Sequence, residues 1–128
     1  MHPLRQPSIE VLRLVGLNRE AFVTSAEVLQ ELVHRYTAIR AWARGREVFE
    51  GFAGLMSGRT ESIHGLDVEY AASLIEAYPG LQGRDLLHLA VMQRLRVTRI
   101  ITADAAFDAV EGIERLDPAR FEEWRDST

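Results

Sequence analysis

Apolar and polar positions along this chain alternate between a helical period and short β-like runs, a pattern that predicts interleaved helices and strands. Pro7 to Val15 reads as a helix with Ile9, Leu12 and Val15 on one face and Gly16 as its stop. Ala21 to Ser25, AFVTS, is a short strand rich in β-formers. A long helix follows, opened by Thr24 and Glu27 as a capping box and carrying an apolar stripe of Val28, Leu29, Leu32, Val33 and Tyr36. Gly45 is expected to break it. The stretch REVFEGFAGLM then gives a further helix with Val48, Phe49, Phe52 and Leu55 turned inward. Ser62 to Leu66 is a weak strand, and Asp67 caps a helix that ends at Pro79-Gly80. The stretch RDLLHLAVMQRLRV is helical with Leu87, Ala90 and Val91 buried, and Thr98 to Thr102 is a core strand. A helical turn around Phe107 and Val110, a last strand GIERL, and a terminal helix from Asp117-Pro118 with Phe121 and Trp124 complete the pattern. Such alternation favours an α/β domain, a parallel sheet with helices on both faces.

Length and composition narrow this picture. The 128 residues fit a single domain, 1–128, with 47% hydrophobic and 27% charged residues, enough for a packed core. There is no cysteine, which excludes disulfides and thiolate metal sites. The opening stretch has no secretory pattern, so the expected location is the cytoplasm, and no segment reaches the roughly 20 apolar residues that span a bilayer. The net charge of −4 is not the footprint of a protein that grips nucleic acid by charge alone. All fifteen basic residues are arginine, as a GC-rich coding sequence would give. Arg84, Arg94, Arg96 and Arg99 are candidates for a backbone-gripping patch, with scattered solvated charge the simpler alternative.

The chemistry lies in the acids. Asp104 follows directly on the strand RIIT, at the strand end where open α/β sheets place ligands. Asp108 lies four residues on and shares its face if DAAFD forms one helical turn. Asp85 sits in the first turn of its helix, and Glu31 in the second turn of the helix that follows AFVTS. Parallel strands would gather these helix starts at one end of the sheet. Converging carboxylates repel, and the usual resolution is a hard cation, Mg²⁺ or Mn²⁺. Such ions ionise a water and aim it at a phosphodiester. His88, one turn beyond Asp85, and Thr102, next to Asp104, are candidates to touch substrate or a water. Each residue also has a purely structural alternative. Asp85 suits a helix dipole, Glu31 can pair with Arg35, Asp104 can cap the next turn, and His88 can be a packed helix residue.

The stretches VTSAEVLQELVHRY and GRDLLHLAVMQRLRVTRIITADAAFDAVEGIERLDP resemble the PIN domains of VapC-type toxins, the ribonuclease halves of bacterial toxin–antitoxin modules. The resemblance runs from about Pro3 onward, and the pairing of RDLLHLA with IITADAAFD is its most specific part. It implies a Mg²⁺-dependent endoribonuclease, silenced by an antitoxin and often a homodimer. In that picture Glu31, Asp85 and Asp104 hold the metal and Asp108 assists.

One departure stands out. The family opens with a hydrophobic central strand that ends in a metal-binding aspartate, and nothing before Pro7 matches it. MHPLRQPSIEVL resembles the stretch that follows that strand, a gap on the order of 10–20 residues. Either the start codon was placed too late, or the chain is truly short. A truly short chain would be unstable, pair its flanking strands directly, or borrow a strand from a partner. The alternative function is a catalytically inactive PIN-like module that binds an antitoxin. A phospho-receiver-like domain ranks far below, because it needs a lysine and the chain has none.

Overall fold

The structure is a computed structural model that describes residues 5–128, so the reading of residues 1–4 lies outside it. Helix α1 (Arg5–Leu17) buries Val11 and Val15, one turn apart, against the C-terminal elements. Ile9 and Leu12 face solvent instead, so the expected apolar face is rotated. Strand β1 (Thr24–Ser25) is only the last two residues of the predicted AFVTS strand. The Thr24–Glu27 capping box does not form. Thr24 belongs to the strand, its N–H donates to the Arg59 carbonyl at 2.9 Å, and Ser25 is the N-cap.

Helix α2 (Ala26–Ala38) ends at Ile39, and Arg40 turns the chain with a positive φ of 54°. Helix α3 (Trp42–Leu55) then runs straight through Gly45, correcting the predicted break there. Gly45 is needed for close approach instead: a Cβ at that position would lie 2.1 Å from Cγ of Tyr36 on α2. Val48 is exposed rather than inward, while Phe49, Phe52 and Leu55 are half-buried.

Strand β2 (Thr60–Glu61) forms just before the predicted Ser62–Leu66 stretch. Helix α4 (Gly65–Ser73) is capped by His64. Asp67 is its third residue, and its carboxylate accepts from the His64 N–H at 2.8 Å. The helix stops at Ser73 and turns carry the chain on, short of the predicted Pro79 end. Helix α5 (Gly83–Leu95) forms as expected. It buries Leu86, Leu89, Ala90, Val91 and Met92, with Leu87 only half-buried. Strand β3 (Arg99–Ile101), a 3-10 turn at Ala105–Ala109, strand β4 (Glu114–Leu116), a 3-10 turn at Pro118–Arg120 and helix α6 (Phe121–Trp124) follow.

The strands pair in parallel, as expected, but as two separate two-stranded sheets, β1 with β2 and β3 with β4. The molecule is therefore predominantly helical with small sheets. Its apolar core is likewise double. One cluster joins α4, α5 and the turn after β3 around Leu86, Leu89 and Phe107. The other joins α1, Met56, Leu116, Phe121 and Trp124, where the two C-terminal rings meet edge to face at 5.2 Å. Ile100 packs on the first cluster and Ile101 on the second, as alternation along a strand requires. Among the described residues, no helix is long and apolar enough to cross a membrane.

Candidate active site

Glu31 is the sixth residue of α2 and His88 the sixth residue of α5. The two helices touch there, and the His88 Nε2–H donates to Glu31 Oε1 at 3.1 Å. The carboxylate thus bonds across the interface rather than to Arg35 on its own helix. Asp85, three residues before His88, is half-buried in the first turn of α5. One of its oxygens accepts from the Gln82 N–H at 3.0 Å, satisfying a helix-end donor that has no intrahelical partner.

Asp104 caps the 3-10 turn after β3. Its Oδ1 accepts from the Ala106 N–H at 2.9 Å, and its own N–H donates to Thr102 Oγ1 at 3.1 Å. Asp108 turns to Arg115 of β4, which grips both its oxygens at 2.9 and 3.2 Å. The Arg115 hydrogen bond is the main reason the Asp108 carboxyl lies below its usual pKa. Arg115 also reaches the Asp117 carboxylate at 3.4 Å and donates to the Thr102 carbonyl at 3.3 Å. Reading the sequence did not single out Arg115. The available signal was a basic residue at the half-buried position of the last strand, seven residues after an acid.

The fold thus brings together Glu31, His88 and the helix turn that carries Asp85. Asp104 and Asp108 lie on the loop after β3, each with a local partner. Among the described residues, no group of three or more histidine, aspartate and glutamate side chains is placed to hold a metal ion. The donor chemistry, hard carboxylate oxygen, suits Mg²⁺. The placement of these side chains does not by itself fit a directly coordinated ion. A cleft of about 470 Å³ beside Arg115 contains only Asp108 of the candidate acids. Two of the four candidate patch arginines are engaged within the fold: Arg94 is held by Asp67 and the Ser62 carbonyl, and Arg99 by Glu114 and Ser127.

Comparison with known proteins bears on what this arrangement is for. A family model described as PIN domain matches residues 2–113. The chain is 36% identical over 115 residues to a VapC ribonuclease of Mycobacterium bovis, covering 90% of this chain and 87% of that protein. It is 41% identical over 106 residues to ribonuclease VapC23 of Mycobacterium tuberculosis, covering 80% of each. It is 28% identical over 121 residues to ribonuclease VapC7 of the same organism, covering 91% of this chain and 81% of that protein. No solved structure is a significant match.

Proposed function

The chain belongs to the PIN domain family, and from that premise we propose that it is a VapC-like ribonuclease toxin that cleaves RNA internally by hydrolysis. The observation that carries this reading is the Glu31–His88 contact. It joins two helices at residues 57 apart in the chain, with Asp85 a turn away. In this proposal Glu31, Asp85 and Asp104 are the reactive acids, Asp108 supports them, and His88 and Thr102 border the substrate.

Mg²⁺ dependence, with Mn²⁺ as a substitute, belongs to the proposal on donor chemistry alone. The acids as placed do not themselves fit a directly coordinated ion. The proposed partners are an RNA substrate and a cognate antitoxin, with the chain as a homodimer in the cytoplasm. A second reading, an inactive PIN-like module that binds an antitoxin, draws on the separation of the acids and their local hydrogen bonds.

RNA cleavage by the purified chain separates the two. Cleavage in Mg²⁺ or Mn²⁺ that stops with EDTA is the expected result. The Glu31→Gln, Asp85→Asn double variant should lose at least about a hundredfold in rate with its circular dichroism unchanged, the scale set by loss of a positioned catalytic group. No cleavage in either metal would leave only the binding module, and full activity in the double variant would remove Glu31 and Asp85 from the reaction.

A further inference from the structure

Charge is spread unevenly along the chain. Residues 32–46 hold four arginines, Arg35, Arg40, Arg44 and Arg46, together with His34, and no acid. The net charge of −4 therefore divides into +4 on these fifteen residues and −8 on the other 113. All four arginines are exposed, and no ion pair among the described residues engages them. Arg94, Arg99 and Arg115, by contrast, are each held by a carboxylate. Glu31, the nearest acid before the run, is taken by His88, which leaves Arg35 free one turn on. Glu47 and Glu50, the next acids after the run, pair with none of the four.

The fold gathers this run into one tight hairpin of α2 and α3. The last turn of α2 closes around the left-handed Arg40. Its N–H donates to the Thr37 carbonyl at 3.0 Å, and the Ala41 N–H donates to the Tyr36 carbonyl at 2.8 Å. Helix α3 begins at Trp42 and packs back along α2 with Gly45 against the Tyr36 ring. Each helical residue is rotated about 100° from the one before. In antiparallel helices, the residues just before a facing pair therefore fall on one side of it, and those just after on the other. Arg35 precedes Tyr36 and Arg44 precedes Gly45, so these two share a side. Arg46 stands on the other. Glu31, one turn before Arg35, lies on the Arg35 side.

We infer that Arg35, Arg40 and Arg44 form an arm that grips the phosphate backbone of RNA beside the Glu31 site. The inference rests on the ribonuclease reading and adds to it the place where the strand is held. A guanidinium keeps its charge at any working pH and meets a phosphate with two parallel N–H donors. Three such forks with no acid between them suit a repeating polyanion. The arm starts one turn from Glu31, so a strand lying across Glu31 passes along α2 to the hairpin turn. Local concentration of charge is also how a protein of net charge −4 can hold RNA: the grip is confined to one edge, and the acidic remainder repels the strand elsewhere. These arginines position the strand and take no part in the chemistry.

Binding of a labelled single-stranded RNA of mixed sequence, in EDTA to prevent cleavage, tests the arm apart from the chemistry. The Arg35→Gln, Arg40→Gln, Arg44→Gln variant should bind at least about tenfold more weakly at about 50 mM salt and lose about 2 from the salt slope, as loss of three phosphate contacts to a single strand requires. A control with Arg13→Gln, Arg96→Gln and Arg125→Gln removes the same charge elsewhere and should keep the parent's slope. In cleavage, the arm variant should raise KM and leave kcat unchanged, the signature of lost uniform binding. Equal losses in both triple variants would show a diffuse charge effect and overturn the arm. So would a fall in kcat at unchanged KM, or no RNA bound by the parent. RNA binding untouched in the arm variant would assign these arginines to an acidic protein partner and likewise overturn it. If the parent binds through the arm yet cleaves in neither metal, the grip stands and the ribonuclease reading falls. If the arm variant binds and cleaves as the parent does, the reading stands and the arm falls.

Discussion

Asp67 and Asp108 are both held by arginine, yet their surroundings give them different weight. Asp67 is 3% exposed and accepts from the His64 N–H and from Arg94 at 3.0 Å. The Arg94 hydrogen bond is the largest cause of its lowered pKa, burial opposes it, and the His64 N–H adds to the lowering. Removing one partner of a buried, hydrogen-bonded pair strands the other, so Asp67→Ala should destabilise by about 2–4 kcal/mol, read by urea unfolding at pH 7. The sign with pH follows from the lowered value. The folded state favours the ionised carboxyl, so its contribution is complete above the ordinary value of 3.8 and is lost as pH falls through the lower folded value. The stability gap between parent and Asp67→Ala should therefore close as pH falls below that value. An equal gap at pH 7 and pH 2.5 would contradict this. Asp108 is exposed, and its pair with Arg115 orients the carboxyl rather than burying it. Arg115→Gln should leave folding intact and change RNA cleavage only if Asp108 supports the reaction.

At the level of elements, helix identity followed the apolar period, but helix ends followed local packing. The crossing of α2 and α3 is set by Gly45 against Tyr36. Gly45→Ala should cost about 1–3 kcal/mol, as overpacking does, despite alanine's better helix propensity. In a Tyr36→Ala background the same substitution should cost far less, and equal costs in both backgrounds would sink the close-packing account. Helix α5 was the most legible element, since GRDLLHLAVMQRL has both a first-turn acid and a long apolar face. Leu86→Ala there should cost about 2–5 kcal/mol, since the side chain is almost wholly enclosed. Strands were legible as runs of β-formers, but their lengths were not. Pairing partners decide how far a strand extends, and β1 keeps only the two residues that meet β2.

At the scale of the whole molecule, net charge limits any purely electrostatic grip on RNA. With a net charge of −4 and Arg94, Arg99 and Arg115 engaged within the fold, few phosphates can be neutralised. The salt slope of RNA binding should correspond to about four phosphate contacts or fewer, measured by filter binding between 50 and 200 mM salt. A steeper slope would mean that more of the exposed arginines gather into a basic surface. The double core and the two small sheets also correct the expectation of one sheet, and they leave the flanking strands unpaired with each other.

The chain's own order of residues determined the family, the parallel α/β pattern and the candidate acids to look for, because these depend on period, strand-forming runs and motif spacing. Only the folded structure decided that Glu31 meets His88 while Asp104 and Asp108 bond locally, and that the strands form two sheets. Those outcomes depend on which backbone and side-chain groups find partners far away in the chain, and no local pattern encodes that choice.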